Sequence, residues 1–218
     1  MTLLRIDASI QGPRSASSAL ADLVQSEYSA AHRDEFVVSR HLGADPLPSD
    51  AWAAAVTGSF SDPADHTPAQ TSGVALATEL ATELTSADAV ILALPLYNWG
   101  VSQHVKAWID LAIAGATPGT RLLDGTPVVL LATRGGAYGP GTPKEGWDHS
   151  IDYLRRVLAE VWGADLTVVE RELTLVGVNP ALDQFADLGA AAKEAAESAA
   201  IAAGRDLAAR TSAQADAA

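Results

Sequence analysis

Ser9, Ser15, Ser17 and Ser18 place four hydroxyls just before or at the start of a segment whose apolar spacing predicts a helix. A helix start presents unpaired N–H groups and a partial positive charge, which suits a phosphate monoester. The same serines also read as ordinary helix caps. Further along, Tyr97-Asn98-Trp99-Gly100 sets an amide between two aromatics. That combination suits a flat heteroaromatic ligand, with a face to pack on and polar groups to address its edge. An Asn turn beside a buried tyrosine has the same composition. The third stretch is Arg134-Gly135-Gly136-Ala137-Tyr138-Gly139. Its paired glycines let backbone approach a ligand edge, and Arg134 offers a positive charge. A Gly-rich turn with a solvated arginine is the alternative. His104 and His149 follow the second and third stretches closely enough to face a common site.

Other chemistries find less support. The chain has no cysteine, which excludes disulfides, thiolate metal sites and cysteine nucleophiles. Neither G-x-G-x-x-G after the first apolar run nor G-x-x-x-x-G-K-[ST] occurs, and there is no G-x-S-x-G elbow. The five histidines lack the i,i+4 pairing of a zinc helix.

The elements that must position these stretches follow from periodicity. Continuous apolar runs at Leu3–Asp7, Glu35–Arg40, Ala87–Leu94, Pro127–Thr133 and Leu166–Glu170 predict strands. The third and fourth show no polar alternation, so they belong in a parallel sheet covered on both faces. Helical stripes lie between them: Leu20, Leu23, Val24, Tyr28; Val74, Ala77, Ala81, Leu84; Val101, Val105, Trp108, Ile109, Ala112; and Ile151, Leu154, Leu158, Val161. An Ala-rich last helix spans Ala181–Ala209, with breaks near Gly189 and Gly204 and a frayed tail after Thr211. This alternation predicts one α/β domain over residues 1–218, with a right-handed parallel sheet. All three stretches then fall at the carboxyl ends of strands, where such sheets bind ligands. Residues 45–68, rich in Pro, Asp, Ser and Gly yet carrying Trp52 and Phe60, predict a lid or partner-contact loop.

Asp and Glu total 27 against 14 Lys and Arg, a net charge of −13. Such a field repels nucleic-acid backbones and anionic lipid. The longest apolar run near the middle of the chain is too short for a membrane span, and no signal peptide is expected. The expected setting is the cytoplasm, without nucleic-acid or membrane partners.

Ser9…Ser15-Ala16-Ser17, Pro95-Leu96-Tyr97-Asn98-Trp99 with Val105-Lys106…Asp110, and Thr133-Arg134-Gly135-Gly136 together resemble the FMN-dependent NADH-azoreductase and NAD(P)H quinone reductase family. The similarity in order and spacing runs from about Thr2 to Pro180. It implies a flavodoxin-like three-layer sandwich with a five-stranded parallel sheet in order 2-1-3-4-5, non-covalent FMN and a homodimer. It further implies that Ser9, Ser15, Ala16 and Ser17 hold the FMN phosphate. Pro95, Leu96, Tyr97, Asn98 and Trp99 would lie along the ring, and Thr133, Arg134, Gly135, Gly136 and Tyr138 at its pyrimidine edge. Trp99 stands where phenylalanine is common.

The expected activity is hydride transfer from NADH or NADPH through the flavin to a quinone, azo or similar electrophilic acceptor, in ping-pong order. The cofactor carries the chemistry and no side chain need act as acid or base. Trp52, Phe60, Trp99 and His104 are the expected acceptor-pocket residues, the first two from a partner subunit. Two other readings stay open: an acidic flavodoxin-like electron carrier, and a flavin-free lyase or isomerase using His104 or His149.

Overall fold

The structure, a computed structural model, describes residues 1–217. Five parallel strands, β1 (Thr2–Asp7), β2 (Phe36–His41), β3 (Ala89–Pro95), β4 (Pro127–Thr133) and β5 (Asp165–Arg171), form one sheet in the order β2-β1-β3-β4-β5. This is the flavodoxin-like order, and the predicted strands hold to within two residues at either end. In register, Leu4 lies between Val38 and Val90, and Leu92 pairs with Leu130.

Strand residues alternate between the two faces, so each strand feeds two cores. Leu3, Ile91, Val129 and Leu131 pack under α1 (Ala16–Ala31) and α6 (Ala186–Ala217). Leu4, Ile6, Leu92 and Leu130 pack under α2 (Ala51–Gly58), α3 (Pro68–Thr85), α4 (Gln103–Gly115) and α5 (Ile151–Arg155). Every residue of β3 and β4 is buried, which explains their unbroken apolar sequence.

Three expectations need correction. Residues 45–68 are not an open loop: Ala51, Ala55 and Gly58 of α2 are buried against α3. Gly73 of α3 makes this possible, since a Cβ there would lie 2.9 Å from the Ala51 carbonyl oxygen. The small residues permit the approach and the packing selects the helix. The stripe through Val161 also breaks down. After α5 the chain continues as a π-helix over Arg156–Val161, with the Trp162 N–H donating to the Val157 carbonyl. The i→i+5 spacing shifts the register, so Val161 is exposed and Trp162 is buried edge-on to Trp108, centroids 5.5 Å apart.

The last helix, finally, is unbroken from Ala186 to Ala217, so it continues past Thr211, which is itself buried; the final residue of the expected frayed tail lies outside the described residues. Gly189 and Gly204 act as contact points. A Cβ on Gly204 would lie 2.7 Å from the Val24 carbonyl oxygen of α1, so close α1–α6 packing offsets the helical cost of glycine, about 1 kcal/mol.

Gly115 is the tightest of these contacts: a Cβ there would lie 1.9 Å from the Ala77 carbonyl oxygen. Backbone cannot step aside as a side chain can. Gly115→Ala is therefore expected to cost about 3 kcal/mol, the upper end for overpacking, read as a fall of several degrees in Tm by thermal denaturation.

Candidate active site

The serine loop between β1 and α1 folds into a concentrated set of donors. Ser9, Ser15 and Ser17 are 2%, 4% and 1% exposed. Ser15 is the N-cap of α1, accepting from the Ser18 N–H at 3.1 Å, so the capping reading holds for that residue. Ser9 and Ser17 have other roles. The Ser17 hydroxyl lies 3.2 Å from that of Ser15, and Ser9 Oγ accepts from the Gln11 N–H. Among the described residues, no acceptor meets the Ala16 and Ser17 N–H groups at the helix start. The nearby Asp7 carboxylate is bound by Arg5 at 2.7 Å. Neutral donors thus predominate, which is anion-binding chemistry. Gly43, after β2, holds this loop from outside, since a Cβ there would lie 2.4 Å from the Ser9 carbonyl oxygen.

The second stretch is a tight hairpin. Tyr97 and Gly100 exchange backbone bonds of 3.1 and 3.0 Å, with Asn98 at φ 47° and Trp99 at φ 66° between them. Left-handed φ at both central residues is the type I′ pattern. Asn tolerates it, but for tryptophan it is a genuine strain. The Tyr97 hydroxyl accepts from the Ile10 N–H at 3.1 Å and lies 3.4 Å from Ser9 Oγ. The Leu96 N–H donates to the Thr133 carbonyl at 2.8 Å. One turn therefore ties the serine loop to the end of β4.

The third stretch is built differently from the expectation. The Arg134 guanidinium is buried among Asp148 (2.5 Å), Glu170 (2.6 Å) and Glu172 (3.6 Å), so it is not the free positive charge expected there. Burial works against its charge, but the hydrogen bonds to Asp148 and Glu170 outweigh this and raise its pKa above the ordinary arginine value. Its main chain is also paired, to the Arg171 carbonyl and the Thr174 N–H. The loop after β5 supports the glycines: Leu175 and Leu173 N–H groups donate to the Gly135 and Gly136 carbonyls, each at 3.1 Å. The Gly135 and Gly136 N–H groups have no acceptor among the described residues. Beside them stands the half-buried Tyr138, with the Lys144 ammonium 5.3 Å from its ring centre.

The structure thus brings together Ser9, Ser15, Ala16, Ser17, Pro95 to Trp99, Thr133, Gly135, Gly136 and Tyr138 on one rim. His149 joins it through its backbone N–H, which donates to the Trp99 carbonyl at 2.9 Å. His104 sits half-buried in the first turn of α4, with no hydrogen bond to its ring among the described residues. Trp52 and Phe60 are exposed on α2 and just after it, and no aromatic contact or hydrogen bond joins either to Trp99. Sequence reasoning missed Gly43, Trp147, Asp148, Glu172 and Leu175. Of these, only Asp148, just ahead of a helical stripe, carried a readable signal, that of a helix-start acceptor.

A groove of about 680 Å³ lies at the other edge of the sheet, beside Thr2, Phe36 and Ser86. Its carboxylates, Glu79 and Glu83, share one guanidinium, that of Arg40.

A five-stranded parallel sheet with a phosphate-type cradle after β1 and two turns beside it defines a flavodoxin-like protein. The chain belongs to that family: the model of the flavodoxin-like fold matches residues 1–206. It is 43% identical over 202 residues to an FMN-dependent NADH:quinone oxidoreductase of Frankia alni, covering 90% of this chain and 95% of the relative. With one of the same name from Streptomyces avermitilis it shares 38% over 213 residues, covering 96% and 98%. Among solved structures it superposes on an azoreductase from Bacillus anthracis with TM-score 0.74 at 22% identity, covering 94% and 99%. An FMN-dependent NADH-azoreductase from the same species, in complex with FMN, gives TM-score 0.69 at 19% identity, covering 91% and 97%. These two establish likeness of fold.

The strain at Trp99 is measurable. A left-handed residue favours glycine over alanine by about 1–2 kcal/mol, so Trp99→Gly is expected to unfold at higher urea than Trp99→Ala. Equal midpoints would mean that the turn relaxes once the indole is removed.

Proposed function

We propose that this chain is an FMN-dependent NADH:quinone oxidoreductase, able to serve quinone or azo acceptors and working as a homodimer. The observation that carries the reading is the cradle at the start of α1. Three buried serine hydroxyls and two backbone N–H groups, without acceptors among the described residues, lie on the one loop, and the nearby Asp7 carboxylate is paired with Arg5. Hydrogen bonds to a charged group contribute about 1.5–3 kcal/mol each, so neutral donors suffice to hold a phosphate against a net charge of −13. The donor set fits the phosphate of FMN, and the names of the relatives support the same assignment.

Ser9, Ser15, Ser17 and the Ala16 and Ser17 N–H groups would hold the phosphate. Tyr97, Asn98 and Trp99 would line the ring, and the Gly135 and Gly136 N–H groups would donate to its pyrimidine edge. FMN held there would supply the hydride chemistry that links NADH or NADPH to the acceptor. The backbone donors at Gly135 and Gly136 would favour negative charge at that edge, as an oxyanion hole does. Solvent protonates the acceptor, so no acid or base is assigned among the side chains. Exposed apolar residues on several elements, Ile10, Trp52, Phe60, Val178 and Leu188 among them, support a second copy covering part of the chain. No helix among the described residues is long and apolar enough to cross a membrane.

Protein mixed with FMN is expected to retain the flavin absorbance through desalting and to bleach rapidly when NADH is added without oxygen. Slow bleaching by NADH indicates an electron carrier; protein that stays colourless in excess FMN removes the reading. Ser17→Asp puts a like charge into the cradle and is expected to weaken FMN binding more than tenfold, at least about 1.4 kcal/mol. In sedimentation the protein is expected to have the mass of two chains.

A further inference from the structure

Trp147 stands beside Trp99 at the mouth of the rim, with ring centroids 6.1 Å apart and planes at 72°. The two indoles are 49% and 47% exposed, although edge-to-face pairs and large aromatics ordinarily gain most from full burial. Two adjacent half-wet tryptophans therefore call for an occupant or a cover. The segment that carries Trp147 is firmly held. Its own N–H donates to the Lys144 carbonyl at 3.1 Å. On its far side Asp148 accepts from the Ser150 and Ile151 N–H groups at 2.7 and 3.2 Å, closing the first turn of α5. The other Asp148 oxygen takes the Arg134 Nε at 2.5 Å, and both side chains are nearly buried. The next residue, His149, is bonded through its N–H to the Trp99 carbonyl. Arg134, Asp148 and His149 thus link the position of one tryptophan to that of the other.

We propose that Trp147 is a specificity-determining residue of the acceptor site, forming with Trp99 an L-shaped slot for planar, electron-poor aromatic acceptors, and that the Arg134–Asp148 pair is the clamp that sets the slot's angle. The proposal rests on the oxidoreductase reading above. The faces of indole rings are electron-rich and those of quinones electron-poor, so a quinone lying against one indole face meets the second ring at its edge. An acceptor without a ring gains nothing from such walls. Asp148 and Arg134 act through the tryptophans as positioning residues and touch no reacting atom.

The test compares the FMN-loaded parent with Trp147→Ala, Trp147→Phe and Asp148→Asn. It uses a two-ring naphthoquinone and ferricyanide as acceptors, with calorimetric quinone binding in the absence of NADH and FMN titration of the stripped proteins. Trp147→Ala is expected to weaken quinone binding and raise its KM at least tenfold. The preference for quinone over ferricyanide should fall by a similar factor, while FMN affinity stays within twofold. Trp147→Phe should retain quinone affinity within about threefold. Asp148→Asn should raise quinone KM several-fold with kcat within twofold, a split that general loss of folded protein would not produce. Unchanged quinone binding in Trp147→Ala, or a loss of FMN affinity as large as the loss of quinone affinity, overturns the slot. A parent that takes up no FMN, or is not reduced by NADH, overturns the oxidoreductase reading and the slot with it. A functional parent with an indifferent Trp147→Ala overturns only the slot.

Discussion

At the carboxyl edge of a parallel sheet, each strand runs out before the next helix can pair its main chain, and buried polar groups must be satisfied somewhere. Here the loops largely satisfy one another. The loop after β3 bonds to the end of β4, the loop after β5 bonds to the glycines after β4, and the Tyr97 hydroxyl reaches the loop after β1. Among the described residues, the N–H groups of Ala16, Ser17, Gly135 and Gly136 are among those left out of this arrangement. They lie on loops that the cross-links already hold together, so a ligand bound there need not order the chain itself, which is the cost that preorganised sites avoid.

Charge is handled with the same economy. The chain carries −13 overall, yet its rim assembles an anion cradle from hydroxyls and amides. The one arginine in the glycine stretch is enclosed by carboxylates and serves the architecture. Buried pairs of this kind contribute little net stability, but removing one partner is expensive because the other is left buried and uncompensated. Arg134 and Asp148 therefore fix geometry more than they add stability. Holding Trp99 at a left-handed φ belongs to the same logic: strain persists only where the surroundings over-determine it. Here the hairpin bonds, the His149 N–H and the Trp147 ring supply that constraint.

The interpretable parts of the site were those contained within one stretch of chain. Ser15 to Ser17, Tyr97 to Gly100 and Gly135-Gly136 each announce a helix start or a turn at the end of a strand, and each lies where strand periodicity places it. What escaped has its partner far away. Asp148 meets Arg134 across 14 positions and Glu172 meets Tyr138 across 34, so neither contact has a local pattern. The composition of residues 45–68 spoke for a loop, yet the Ala51–Gly58 helix forms because Gly73 lets it settle on α3.

Local steric and hydrophobic rules act over a few residues, and so the amino-acid order alone determined five strands, the two central ones fully buried, most of the helices between them, and three ligand-type turns at the strand ends. Which groups remain unpaired there, which way Arg134 directs its charge, and that Trp147 stands against Trp99 are settled by contacts between segments distant in sequence. Those contacts exist only once the sheet has set the distance between loops, so the tertiary structure alone decided them.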